Sequence, residues 1–518
     1  MGRIGAPSGR PAARMQPKSA TPGNDAARRT SSLAPSAAYW LVVFAWALLS
    51  TPIAPPLAAA PADDLPVLGD ASSGIVSPQI EAQLGRDFLR QIRAQLPTKS
   101  DPLLTYWTEL LMYDLATYSD LSRRELSIVI IDAASINAFA APGGIVGINL
   151  GTYDQAPTVH EFSAIMAHEL AHLSQRHFAR GIKEQRKGTL PFLAAMLASA
   201  ALMVAGSGEA GIAALASAQA AAQQAQLRYS RAREREADRL GIETMARAGL
   251  DPWAMSSMFE RMNDASRFRR RPPEFLLTHP VTESRISDAR DQAADFPRKV
   301  HEDSLRFQLM RSRVRLHLAE SPALAVRSFR AQLAEGRTNM PDAVRYGLVI
   351  SLLAAGDPAA AERELEPLRD RVDDGALAYT LAAVEIELAR GEHDAAIALL
   401  EDALRYTPDN LPLASTYARA LSAAQRHGEA QRVLEQLAIA RPEDAQVWFD
   451  LAETAGLAGD IIAVHRARAE YFQLHGSLQN ALQHLRYALQ LVENDFPMTA
   501  RLNKRVQDIR EMRLRLNS

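Results

Sequence analysis

The stretch AHELAHLSQRH, residues 167–177, decides how the chain is read. On a helix, His168 and His172 lie one turn apart on the same face, so both imidazoles can point at one ion. Glu169 leaves the helix about 100° round the axis. It is too far round to join the ligands easily, yet near enough to reach a water beside them. Zinc lowers the pKa of such a water from about 15.7 towards 7, and a nearby carboxylate can take the proton. That is the physical content of HExxH. The spacing alone also fits a polar stripe on an ordinary helix. With 12 His in 518 residues, chance matches are on the order of a few per cent per protein.

A zinc site for hydrolysis needs a third protein ligand and an open fourth position. The chain has no cysteine, which excludes disulfides, thiolate catalysis, cysteine zinc sites and a lipidated N-terminal cysteine together. The third ligand must then be His, Asp or Glu. SRAREREADRLG, residues 230–241, offers Glu234 and Asp238, again four apart on one face. Glu234 would complete a two-histidine, one-glutamate set. Asp238 could accept a hydrogen bond from the free N–H of a zinc-bound histidine. Taken alone, the same segment reads better as a solvated helix of paired charges. His160 and His177 fall off the metal face of an unbroken helix and read as structural.

Lys+Arg 58 against Asp+Glu 60 leaves almost no net charge, so nothing global points to nucleic acid. The 47% hydrophobic and 23% charged fractions are those of a folded, soluble protein. Residues 1–36 are rich in Pro, Ala, Ser and Gly, with six Lys and Arg (Arg3, Arg10, Arg14, Lys18, Arg28, Arg29) against Asp25. They lead into AAYWLVVFAWALLS, residues 37–50, and then small residues near Ala58–Ala60. A basic region, an apolar run and a small-residue stretch spell a secretory signal, so residues 1–60 are read as a signal peptide with a basic N-terminus. The apolar run is shorter than the about 20 residues of a membrane span; an uncleaved anchor is the alternative. LPFLAAMLASAALMVA, residues 190–205, has three readings: a lid over the cleft, a membrane-contacting surface helix, or a span, which its length disfavours.

Between these landmarks the periodicity predicts two helices over about 77–126, a strand at 126–132, and strand, Pro-Gly-Gly turn, strand over 136–151. One long helix is expected from Thr158 to about Gln185. Beyond about residue 303, Ala- and Leu-rich helices repeat. GDPAAAERELEPL from Gly356, GEHDAAIALLEDAL from Gly391 and the following GEAQRVLEQLAIARP keep steps of 35 and 34 when aligned on their helices, pairing Ala361, Ala396 and Ala430, and Leu365, Leu400 and Leu434. A fainter copy places Ala481, Leu485 and Ala488 in the same roles. The pattern resembles the tetratricopeptide repeat, a helix pair that stacks into a solenoid.

HExxH, a distant ExxxD inside SRAREREADRLG, NAFAAPGG before it and RPPEFLLTHPVTESRI after it together resemble one family. It is the zinc peptidase family that contains the prenyl-protein endopeptidases and the heat-shock membrane proteases. With an export signal and a repeat tail, the chain is most similar within it to the periplasmic beta-barrel assembly-enhancing proteases. The resemblance implies a mostly α chain: a zincin-like α+β metallopeptidase domain with a small sheet over 61–300, then an α-solenoid of tetratricopeptide-like repeats over 301–518. It implies one Zn2+ per chain on His168, His172 and Glu234, Glu169 as general base, and Asp238 behind the ligands. It places His279 on a loop beside the metal, where the ring could fill the fourth position and hold the enzyme off, or simply shape the loop before Pro280. Arg285 could stabilise an oxyanion or pair with a nearby carboxylate. NAFAAPGGIVGINL could be an edge strand that pairs with an extended substrate, or a buried hairpin.

The function so implied is an exported zinc endopeptidase in quality control of misfolded outer-membrane proteins, its repeats binding clients or the assembly machinery in the periplasm. The alternatives are a chaperone or scaffold whose metal site is held inactive, and a membrane-anchored protease.

Overall fold

The computed structural model describes residues 76–184, 231–268, 274–336, 338–369, 371, 374–492 and 494–517. The signal read over 1–60 and the apolar segment 190–205 lie outside the described residues.

Two helices open the described chain, each started by an oxygen-bearing cap and a proline. In α1 (Pro78–Gln95) Ser77 accepts the Ile80 N–H; in α2 (Pro102–Tyr118) Asp101 accepts that of Leu104. Both devices satisfy donors that the first helical turn leaves unpaired. Three short strands follow: β1 (Ser127–Ile131), β2 (Ala138–Ala141) and β3 (Ile145–Asn149). β2 and β3 form an antiparallel hairpin, with Gly143 and Gly144 at φ 78° and 79° in its turn. β1 pairs with β3 in parallel, so the order is β1-β3-β2 and β2 is an edge. A short α3 (Leu150–Gln155) leads on to α4 (Val159–Ser174).

α4 carries the opening motif. Thr158 caps it by accepting the Glu161 N–H, and every residue from Val159 to His172 is buried. A helix buried all round belongs inside a core, and α4 packs against β2 and against α6 (Arg231–Arg247). Gly241 of α6 sets that approach: a Cβ there would lie 3.2 Å from the His168 backbone nitrogen and 2.9 Å from the Met255 methyl. The long helix expected over 158–185 is instead two. α4 stops at Ser174, Arg176 takes a φ of 47°, and α5 (His177–Glu184) starts in a new direction. A non-glycine residue is disfavoured there. The Arg176 side chain is anchored on Glu81 and on the Val76 carbonyl at 2.7 Å. After Gly249 and the Asp251 cap come α7 (Ala254–Phe268), a single turn α8 (Phe275–Thr278) and α9 (Glu283–Ala293).

The repeats run through α10 (Leu305–Leu318), α11 (Pro322–Glu335), α12 (Pro341–Ala354), α13 (Pro358–Arg369), α14 (Ala376–Arg390) and α15 (His393–Tyr406). They continue as α16 (Leu411–Ala423), α17 (His427–Ala440), α18 (Ala445–Ala458), α19 (Ile461–Leu474), α20 (Leu478–Leu491) and α21 (Phe496–Asn517). The registered alanines and leucines are the buried ones: Ala361 and Leu365 in α13, Ala396 and Leu400 in α15, Ala430 and Leu434 in α17, Ala481 and Leu485 in α20. Alanine lets neighbouring helices approach while leucine fills the groove between them, which is how one helix pair stacks on the next. A mostly α chain with one small sheet and a helical-repeat tail is what the sequence implied.

The repeats share their core with the elements before them. One apolar cluster runs from Leu103 to Ala467. Asp101, the cap of α2, accepts from the Arg313 guanidinium of α10 at 2.7 and 2.9 Å, and Arg313 also reaches the Tyr346 hydroxyl of α12 at 2.8 Å. Farther along, Arg441 pairs with Glu109 at 3.0 Å and Arg93 donates to the Glu443 carbonyl at 2.7 Å. Among the described residues, no helix is long and apolar enough to cross a membrane.

Candidate metal centre

The turn-to-turn spacing of His168 and His172 on α4 does bring both rings to one point: their Nε2 atoms lie 3.0 Å apart. α6 delivers Glu234, whose carboxylate oxygens stand 3.5 Å from His168 Nε2 and 3.6 Å from His172 Nε2. A fourth donor comes from the loop after α8. His279 Nδ1 lies 3.3 Å from His168 Nε2 and 3.1 Å from Glu234 Oε2, with its ring stacked on Phe275. All four residues are buried, and one ligand atom from each lies within 4.8 Å of all the others.

This arrangement fits a tetrahedral metal ion. Zinc–nitrogen distances of about 2.0–2.1 Å give a tetrahedron edge of about 3.3 Å, and the neighbouring donors here are separated by 3.0 to 3.6 Å. Three imidazoles and a carboxylate, all buried and turned toward one point, make sense around a cation. Asp238 sits where a positioning partner belongs, its Oδ1 2.9 Å from His168 Nδ1, on the far side of the ring from the cluster.

Arg285, from α9, takes the second of the two options its sequence left open. Its Nε and Nη2 fork onto Asp238 at 2.7 Å each, Nη1 reaches Glu234 at 3.1 Å, and Nη1 also donates to the Pro280 carbonyl at 3.0 Å. A planar fork matches a carboxylate in just this way. The same guanidinium stands over the Phe259 ring at 4.8 Å.

Glu169 is buried beside the cluster. One of its oxygens makes no hydrogen bond and lies 3.5 Å from His279 Nε2; the Ala140 N–H of β2 is near enough to the carboxylate to favour its charged form. β2, an edge strand among the described residues, packs beside the helix that carries Glu169.

The electrostatics sort these groups. Burial raises the proton affinity of Glu169 above the usual carboxylate range, against the pull of His279 and His168. Burial acts the same way on Glu234, but His279 and His168 outweigh it and hold that carboxyl well below the usual range. Burial and the neighbouring His168 push His172 well down, so its ring is neutral. His168 goes the other way in the metal-free protein: burial opposes its charge, yet Asp238 and Glu234 carry it up to about 9.

Two residues set aside in the sequence behave differently from each other. His160 is structural, bonding the Glu302 carbonyl and accepting the Asp251 N–H. His177 is not remote: its Nδ1 lies 2.7 Å from His172 Nδ1 and its Nε2 3.1 Å from Glu236. The break at Arg176 turns the ring back, and a straight helix would have pointed it away. Burial depresses its pKa to about 4.

The model of peptidase family M48 matches residues 102–293, and that of the tetratricopeptide repeat matches residues 387–452. A beta-barrel assembly-enhancing protease of Escherichia coli K12 is 31% identical over 458 residues, covering 88% of this chain and 93% of its own. The chain belongs to this family. A protein of the same name in Yersinia pestis is 30% identical over 457 residues, covering 87% and 93%. The mitochondrial metalloendopeptidase OMA1 of Schizosaccharomyces pombe is 27% identical over 215 residues, 41% of this chain and 60% of its own. The chain is therefore a metalloendopeptidase, built to work with a divalent metal.

Proposed function

We propose that the chain is an exported zinc endopeptidase in which His168, His172 and Glu234 hold one Zn2+, Glu169 is the general base, and residues 301–518 dock proteins for residues 61–300 to cut. The observation that carries this reading is the convergence of four buried donors, one ligand atom from each lying within 4.8 Å of all the others. Zinc held there supplies a Lewis acid that brings the pKa of a water from about 15.7 towards 7. Glu169 takes that proton: it lies near the Ala140 N–H, is raised in proton affinity by burial, and has an oxygen free of hydrogen bonds. The open edge of β2 offers main-chain partners to an extended peptide, which supports broad sequence tolerance. Asp238 orients His168, and Arg285 acts through Asp238 and Glu234 as a positioning residue.

His279 holds the site shut until substrate displaces its ring. The support is its place as a fourth donor, where a substrate oxygen must enter. Docking on the repeat side is supported by a cavity of about 720 Å³ lined by Pro102, Tyr346, Leu381, Glu385, Arg419 and Thr454. The signal-like N-terminus supports export to the periplasm, and the relatives' name supports action on outer-membrane beta-barrel proteins during assembly. Clients would be unfolded or misfolded chains, with the assembly machinery as a partner of the repeats.

Metal analysis and casein cleavage by wild type and Glu169→Gln test this. One zinc per chain in both proteins and a loss of roughly 10²–10⁴ in rate in the variant are expected. Cleavage by Glu169→Gln at the wild-type rate would overturn it, as would a wild type that binds no zinc.

A further inference from the structure

We infer that His177 and Glu236 form a relay that fixes the tautomer of His172 as a metal ligand, making His177 a positioning residue for the hydrolysis. The inference rests on the reading of His172 as a ligand given above.

A histidine can bind a metal through Nε2 only if its single remaining proton sits on Nδ1. That proton is normally claimed by a carboxylate, a carbonyl or a water. Asp238, 2.9 Å from His168 Nδ1, stands where it can do this for His168. For His172 the partner is another imidazole, at 2.7 Å between the two Nδ1 atoms. Two ring nitrogens that close share one proton between them.

Only one placement satisfies the whole row. Glu236 is an acceptor, so the His177 nitrogen facing it at 3.1 Å must carry a proton. A neutral His177 protonated at Nε2 is bare at Nδ1 and accepts. His172 then donates from Nδ1 and keeps its Nε2 lone pair turned into the donor cluster. The reverse placement fails twice. It would set a bare His177 Nε2 against the Glu236 carboxylate, and put a proton on His172 Nε2 where the metal belongs. Arg180 holds Glu236 in place with contacts of 3.2 and 3.3 Å.

The relay also limits charge. Glu234 already stands in the cluster and Asp238 behind His168. A neutral ring at His177 orients His172 without a further anion beside it, and the Glu236 charge sits one ring away, paired with Arg180. The local fold serves the same end. His177 is fully buried, and the left-handed Arg176 aims it back at α4.

The test compares wild type, His177→Ala, His177→Asn and Glu236→Gln. Zinc affinity is read by competition with a fluorescent chelator, the ligand field by the visible spectrum of the Co2+ form, and folding by the melting temperature of the metal-free proteins. His177→Ala should bind zinc about 10–100-fold more weakly and shift the Co2+ bands. His177→Asn, whose amide oxygen can accept from His172 Nδ1, should recover most of the affinity. Glu236→Gln should fall between, because a glutamine can donate and so permits the wrong tautomer. Wild-type zinc affinity in His177→Ala, with only a lowered melting temperature, overturns the inference in favour of a packing role. Should His177→Ala not fold, Glu236→Gln decides, and wild-type affinity there overturns it equally. Failure of the wild type to bind zinc would instead remove the proposed function, and the relay with it.

Discussion

Replacing Arg285 with methionine should destabilise the metal-free protein far more than the zinc form. The guanidinium makes two 2.7 Å bonds to Asp238 and a 3.1 Å contact to Glu234, all three groups buried. Methionine keeps an apolar stem over Phe259 and removes only the charge. Breaking a buried pair by deleting one partner costs about 3–5 kcal/mol, because the other charge stays behind uncompensated. Unfolding entropy of about 2.1 cal/mol/K per residue over the roughly 460-residue compact unit gives about 1 kcal/mol per degree. The melting temperature without metal should thus drop by about 3–5 °C. Zinc restores a cation next to Glu234, so the drop should be smaller when it is bound. Differential scanning calorimetry of both proteins, with chelator and with zinc, reads both numbers. A drop that is equal in the two conditions, or none, would refute the argument that Arg285 balances the carboxylates behind the metal.

Arg313→Met should weaken the seam between α2 and the repeats by about 2 kcal/mol at neutral pH, between the values for exposed and buried pairs, since Arg313 is about a quarter exposed. Burial works to raise the Asp101 pKa, but Arg313 and the helix cap bring it below its ordinary value. A carboxyl depressed in the folded state stabilises above its unfolded pKa and stops doing so as pH falls through the folded one. The gap between wild type and variant in urea unfolding should therefore be full at pH 6 and shrink below about pH 4; a gap that widens with acid counts against the pair. His279→Ala should cut casein faster, by about tenfold if nine sites in ten are closed. Unchanged or slower cleavage would remove the gating role.

The parts of this molecule that sequence reveals are those encoded by spacing within one helix. His168 with His172, Glu234 with Asp238, and the alanine–leucine register of the repeats all follow from a period of 3.6. What joins two helices is harder. His177, five residues past His172, is off-face on a straight helix, and nothing but an arginine marks the break at 176. Glu236 and Arg180 were invisible for the same reason, being ordinary surface charges until the turn brings His177 between them. Arg285 could be named from its motif, but only coordinates show which of its two options it takes. Asp101 and Arg313, 212 residues apart, have no local signature at all.

The seam from Asp101 to Glu443 has a consequence for how a client is handled. Where the described residues join the repeats to the elements before them they share one core and these ion pairs, so a gripping surface on the repeats would be held at a fixed distance from the groove that cuts. The client must supply the slack: a loop or frayed end long enough to travel from the gripping surface to the β2 edge. Under the proposed function, a well-folded barrel would offer no such slack and would escape, while a stalled one would be cut, so selection could arise from fixed reach without any preference for sequence.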